Sequence, residues 1–302
     1  MTYKETLSFV AKCLVINLDS TNNVLIENHL KSGNIDWDAI VKVSANHYVY
    51  PALYCNLKRA NFLKYVPEDL IEHMIYITDL NRERNLKIIN QAKEINELLV
   101  TNNITPIFFK GASYLLEELY EDIAERMLGD IDIIIDINDI YNANDILIKN
   151  GYAQKAILFS EHRHLPRLIN SKRIAAVELH KDFLENPHKE NFNLTTVKKS
   201  IVKFSGNNVS ILGRTDKIAI NIFSNQLTDN VFKKKTISLR SLYDFILLKK
   251  DIDQSTIIAK YPKYQKNINC YFEVLKFLID AHFNINSIAD KIIFKKSKLV
   301  CR

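Results

Sequence analysis

Ile104-Thr105-Pro106-Ile107-Phe108-Phe109-Lys110-Gly111-Ala112-Ser113, followed by Arg126-Met127-Leu128-Gly129-Asp130-Ile131-Asp132-Ile133-Ile134-Ile135, is the part of the chain that decides the fold. Its first six residues are apolar, β-branched or aromatic, and Gly111 closes the run before an amphipathic stretch over residues 112–127. In the second segment Ile131, Ile133 and Ile135 alternate with Asp130, Asp132 and Ile134, the period of two expected of a strand. The pattern predicts strand, tight turn, helix, strand. Downstream, NDIYNANDILIKN reads as a helix ended by Gly151, and RIAAVELHKDF as a strand carrying Glu178 and His180 on one face. Residues 101–205 are therefore expected to form a small α/β unit.

On the N-terminal side, Leu70, Met74, Ile77, Leu80, Ile88, Ile95 and Leu98 recur at helical spacings, predicting one long amphipathic helix or two between residues 67 and 100. The preceding WDAIVKVSANHYVYPALYCNLKR has the same texture, so residues 1–100 read as a helical region. After Gly213 the helical pattern returns in DKIAINIFSNQL, SLRSLYDFILLKK and NCYFEVLKFLIDAHFNI, giving a C-terminal helical region over residues 206–302. The expected class is α+β, a small mixed-sheet domain flanked by N-terminal and C-terminal helical regions, without internal repeats.

Composition bounds the function. With 302 residues, 47% of them hydrophobic, and only six glycines and six prolines, a collagenous, low-complexity or disordered chain is excluded. No apolar run approaches the roughly 18 to 20 residues that span a bilayer, and Lys12, Asn17 and Asp19 interrupt the apolar N-terminal patch. The expectation is a soluble, unexported, cytoplasmic protein with no membrane partner. Cys13, Cys55, Cys270 and Cys301 form no CxxC pair, which signals neither a zinc ribbon nor a disulfide framework and fits reduced thiols. A net charge of +6 permits an anionic substrate but does not identify a nucleic-acid binder, so that partner ranks last. The lysine runs at residues 233–235 and 295–298 read as solvated faces.

The chemistry concentrates around the two quoted segments. Residues two apart on a strand project from one face about 6.5–7 Å apart, so Asp130 and Asp132 aim at one place. Like charges held there repel, and a divalent cation is the usual solution, magnesium taking one or two carboxylates together with substrate phosphates. A glycine turn opening a helix supplies the complementary part: backbone N–H groups for phosphate, with Lys110 or Ser113 as further donors. His162, His164 and His180 offer an HxH and an ExH arrangement, but no spacing rule joins them into a zinc site. His180 reads either as part of the active-site wall or as a satisfied structural imidazole. Asp244 reads as a lock for the helix opened near Arg240.

FFKGASYL, ERMLGDIDIII, HRHLPRL, AAVELH and LRSLYD, in that order over residues 104–245, resemble the uncharacterised bacterial nucleotidyltransferase family with a Lys-Gly turn, within the polymerase-beta-like nucleotidyltransferase superfamily. The resemblance implies a polymerase-beta-like catalytic domain that moves a nucleoside monophosphate from a nucleoside triphosphate to an acceptor, releasing pyrophosphate. By the same resemblance Asp130, Asp132 and Glu178 hold Mg2+ or Mn2+ and are catalytic, Glu178 also helping to remove the acceptor proton. Lys110, Gly111 and Ser113 hold the triphosphate, ATP being the first expectation for it, and Arg126 balances transition-state charge. Ala112 stands where a second Gly or Ser is common, Gly111 and Asp130 lie nineteen positions apart, and the third acid is Glu. The acceptor, a small molecule, peptide, protein or RNA end, is not legible. A non-catalytic nucleotide-binding or regulatory protein on the same scaffold stands as the alternative.

Overall fold

A computed structural model describes residues 1–154, 162–204, 208–229, 231–234, 236–249 and 252–279. Lys235, residues 295–298, Cys301 and the end of the last predicted helix lie outside the described residues. In chain order the first helices are α1 (Tyr3–Leu14), α2 (Ser20–Lys31), α3 (Trp37–Asn46), α4 (Tyr50–Arg59) and α5 (Glu68–Thr101). Next come β1 (Ile107–Phe108), α6 (Lys110–Leu116), β2 (Asp130–Ile134), α7 (Ile140–Lys149), β3 (Ala153–Gln154), β4 (Leu168–Ile169) and β5 (Ala176–His180). Then follow α8 (Leu194–Val197), β6 (Val202–Phe204), β7 (Val209–Ile211), α9 (Arg214–Phe223), α10 (Val231–Lys234), α11 (Leu239–Lys249), α12 (Gln254–Lys260) and α13 (Gln265–Ile279). No helix among the described residues is long and apolar enough to cross a membrane.

The chain divides into two compact units, one comprising residues 1–81, 124–127 and 222–302, the other residues 82–123 and 128–221. The first is helical. In it α1 packs against α2, α3, α4 and α13, burying Val10, Leu14, Ile40, Leu53 and Leu278. Phe245 on α11 meets Tyr271 and Phe272 on α13, each edge-on at 5.2 Å between ring centroids. Capping is explicit at the first helix: Thr2 and Glu5 form a reciprocal box that satisfies two of the N–H groups a helix start leaves open. The short segment Ala124–Met127 is held in this unit by polar contacts. Asn81 donates to the carbonyls of Ala124 (2.7 Å) and Arg126 (3.2 Å). Buried Glu125 accepts from Arg59 (2.7 Å) and from the Tyr243 hydroxyl.

The second unit is built on a seven-stranded mixed sheet in the order β3-β4-β5-β2-β1-β7-β6. Central β2 runs parallel to β5 and antiparallel to β1, and β1 runs parallel to β7. The expected mixed sheet with helices before and after it is what the chain forms. Ile131 and Ile133 are fully buried on one face of β2, while Asp130 and Asp132 take the other, as the alternation requires. From α5, Gln91 holds the start of β5 with both ends of its amide, donating to the Ala175 carbonyl (2.9 Å) and accepting from the Ala175 N–H (3.1 Å). After β7, Gly213 passes the Ser200 carbonyl so closely that a Cβ would lie 2.5 Å from it, which leaves room for glycine there and little else.

The helix expected over residues 112–127 is shorter in the structure. α6 stops at Leu116, because Glu118 adopts a left-handed φ of 57° and the Leu119 N–H reaches back to the Tyr114 carbonyl at 3.0 Å. That is a Schellman-type ending with glutamate in the position usually given to glycine. Strands β3, β4, β6 and β7 have two or three residues each, too few for a sequence period to register.

In the helical unit, His47 Nδ1 accepts from the Leu239 N–H at the start of α11 (3.4 Å), and its Nε2 lies 3.2 Å from the Tyr3 hydroxyl. An Nδ1 that accepts cannot also be protonated, and burial lowers the imidazole pKa below 6.5. A folded value below the unfolded one contributes stability that is present above about pH 6.5 and lost as pH falls through the folded value. Denaturation midpoints of the wild type should fall more steeply between pH 7.5 and pH 5 than those of His47→Asn, which keeps an acceptor and does not titrate. Parallel slopes would contradict this account.

Candidate active site

The parallel register of β2 and β5 sets Asp132 opposite Glu178 and Ile134 opposite His180, so Asp130, Asp132, Glu178 and His180 project from one face of the sheet. Asp132, Glu178 and His180 are buried, and each offers a ligand atom within 4.8 Å of the others. The sequence-predicted acids thus do converge. Asp132 Oδ1 accepts from Lys110 Nζ (2.7 Å) and lies 2.8 Å from His180 Nε2. His180 Nε2 is also 3.4 Å from Glu178 Oε2.

Arg167, which the sequence did not single out as a site residue, is the second cation of the cluster. Its guanidinium donates through Nε to Glu178 Oε1 (2.9 Å), through Nη2 to the same oxygen, and to Asp130 Oδ2 (3.1 Å). Its position follows from a local irregularity. β4 pairs Leu168 with Val177, whereas His164 bridges to His180, so four steps on one strand match three on the other. One extra residue near Pro166 is a β-bulge, and bulges tolerate proline. His164 and Arg167 are three positions apart and on an unbroken strand would face opposite ways; here both face Glu178, His164 Nε2 lying 3.8 Å from Glu178 Oε2. The HRHLPRL segment contains the signal, but only the pairing reveals it.

The electrostatics separate the three acids. Burial alone would raise Asp132, yet Lys110 and His180 outweigh it and hold the carboxyl well below the usual range. Glu178 is likewise pushed up by burial and pulled down by nearby His180 and by its hydrogen bonds to Arg167, settling at about 2. Asp130 goes the other way, raised by burial and by the charges of Asp132 and Glu178. Its Oδ1 makes no hydrogen bond among the described residues.

Gly111 is buried as the second residue of α6. Ser113 is fully buried, and its hydroxyl donates to the Lys110 carbonyl at 2.8 Å, inside its own helix rather than toward the carboxylates. Arg126 lies in the helical unit, where it pairs with Asp244 (3.1 Å) and donates to the Met127 carbonyl (2.7 Å). Asp244, expected to lock the helix opened near Arg240, lies on α11 and pairs with Arg126.

Lys110 holds a left-handed φ of 53°, unusual for a side chain with a Cβ. The conformation costs about 1–2 kcal/mol; the pair with Asp132 and the approach of Nζ to 4.9 Å from the Phe109 ring centroid oppose it. Lys110→Gly and Lys110→Ala both remove the ammonium, and only glycine is at ease at this φ. Lys110→Gly should therefore be more stable than Lys110→Ala by about 1 kcal/mol in chemical denaturation. The reverse order would show that the backbone is not strained.

Among solved structures, an antigenic nucleotidyltransferase-like protein from Paracoccidioides brasiliensis is similar at 16% identity and a TM-score of 0.39, over 61% of this chain and 92% of that one. No curated protein sequence matches the chain. The model of a family described as uncharacterised nucleotidyltransferase matches residues 33–266, which takes in the carboxylate cluster and the sheet that carries it; the chain belongs to that family.

Proposed function

We propose that the protein transfers a nucleoside monophosphate from a nucleoside triphosphate to an acceptor hydroxyl, with Asp130, Asp132 and Glu178 as the cation-holding acids. The observation that carries this reading is the convergence of three carboxylates on one face, with two cationic side chains, Lys110 and Arg167, to balance them. The surplus negative charge in a largely buried corner, and a donor set of carboxylate oxygens with imidazole beside them, fit a divalent cation such as Mg2+ or Mn2+. Bound there, such a cation neutralises charge on the triphosphate and acidifies the acceptor hydroxyl.

The chain's own residues supply the rest. The acceptor oxygen attacks the α-phosphorus in line, the bond from that phosphorus to the α,β-bridging oxygen breaks, and pyrophosphate leaves. Once their carboxylates are otherwise satisfied, Lys110 and Arg167 turn to the phosphate oxygens, Arg167 with the planar fork suited to them. Arg167 takes the charge-balancing role first expected of Arg126, which is engaged with Asp244. Glu178, held at about 2, stays ionised and is a weak base; Asp130, with its raised carboxyl, is the better acceptor of the hydroxyl proton. The first turn of α6 offers backbone N–H groups to the phosphates, while the inward-turned Ser113 orders that turn. ATP is the first donor to try.

Pyrophosphate release from each of the four nucleoside triphosphates, with Mg2+ or Mn2+ and a panel of hydroxyl acceptors, tests the reading. Asp132→Asn keeps the volume and should lose turnover by at least about a hundredfold, with an unchanged circular dichroism spectrum. Full activity in that variant would refute the assignment. Tight triphosphate binding by the wild type with no release under any condition would favour a nucleotide-binding regulator on the same scaffold.

A further inference from the structure

Two imidazoles face Glu178, and their hydrogen bonds give them opposite capacities. His164 Nδ1 lies 2.7 Å from the Leu165 carbonyl oxygen, which can only accept, so Nδ1 carries a proton. In the neutral ring, the form in which imidazole ligates a metal, Nε2 is then the lone-pair nitrogen, and it faces Glu178 Oε2 at 3.8 Å, beyond hydrogen-bond reach. Two acceptors oppose each other with no proton between them. Ligand atoms about 2.0–2.2 Å from a shared cation lie about 3–4 Å apart, the separation seen here. Glu178 presents this oxygen because Arg167 occupies the other one.

His180 is built the other way. Its Nε2 donates to Asp132 Oδ1 at 2.8 Å, while its Nδ1 is buried without a partner among the described residues. Ligating a cation through Nε2 would move the proton to Nδ1, where no acceptor waits, at a cost of about 1–3 kcal/mol. Histidine ligands almost always donate their other N–H to a carbonyl, carboxylate or water. Among the described residues that partner is in place for His164 and missing for His180.

We propose that His164 is the imidazole ligand of this site, joining Glu178 in a mixed nitrogen and oxygen set, and that His180 is a positioning residue which orients Asp132 as a hydrogen-bond donor. This rests on the reading above that the carboxylates hold a cation. A nitrogen ligand shifts preference away from Mg2+ and toward first-row transition cations, Mn2+ being the weakest-binding of these and Zn2+ a stronger one. The β-bulge near Pro166 is what brings the imidazole to the acids.

Pulsed electron paramagnetic resonance of Mn2+ bound to the full-length protein tests it. The wild type should show coordinated nitrogen whose signal changes on [15N]histidine labelling. His164→Gln should lose that signal and weaken Mn2+ binding in calorimetry by about tenfold or more, and His164→Asn, read in the same way, guards against a folding defect in one variant. His180→Gln should keep the nitrogen signal. An all-oxygen Mn2+ spectrum in the wild type, or a nitrogen signal that survives in His164→Gln and vanishes in His180→Gln, would overturn the proposal while leaving the cation site intact. Absence of any Mn2+ binding to the wild type, with or without triphosphate, would overturn both.

Discussion

Repulsion among three carboxylates held on one face of a sheet is the constraint around which the second unit is arranged. The parallel pairing of β2 with β5 places Asp132 directly opposite Glu178, and the strand period adds Asp130 to the same face. Ile131 and Ile133, buried on the reverse face, hold β2 in that register, because a slip by one residue would turn the acids into the core and the isoleucines out of it. The apolar side of the strand is thus what keeps the charged side in place. Lys110 and Arg167 then relieve the repulsion from two directions, one from the turn after β1 and one from the bulged strand beside β5.

How those cations are delivered explains which parts of the site a linear reading can find. Asp130, Asp132 and Glu178 sit on five-residue strands with clear alternation, so their common face follows from spacing once the strands are recognised. Arg167 and His164 reach the same place through one extra residue in an antiparallel pair, and nothing in HRHLPRL states where the partner strand skips. Ser113 is ambiguous for a different reason: a serine in the first turn of a helix can serve a ligand or its own backbone, and here it donates to the Lys110 carbonyl.

The helical parts were legible from their periods, with one instructive exception. The apolar spacing over residues 67–100 corresponds to the single helix α5, and the patterns after Gly213 correspond to α9, α11 and α13. Residues 112–127 have amphipathic texture throughout, yet the helix ends at Leu116 and the segment Ala124–Met127 belongs to the helical unit. Its apolar and charged residues serve a different core, where Glu125 meets Arg59 and Tyr243 and where Arg126 meets Asp244. Periodicity records that a residue is buried, not which core buries it.

The backbone at Lys110 shows what the arrangement demands locally. A left-handed residue at the junction of β1 and α6 turns the chain sharply enough for the Phe109 N–H to stay on the Asp132 carbonyl (3.2 Å) while the next side chain swings to the Asp132 carboxylate. Glycine would make that turn without strain but would bring no ammonium, and a lysine one place later would begin from the body of the helix. The strain is therefore the consequence of needing bend and charge in one residue, a combination that survives only where the surroundings over-determine it. Asp132 supplies that determination twice, through its carbonyl to Phe109 and its carboxylate to Lys110, which makes the residue proposed to hold a cation also the one that shapes the turn proposed to hold the phosphates.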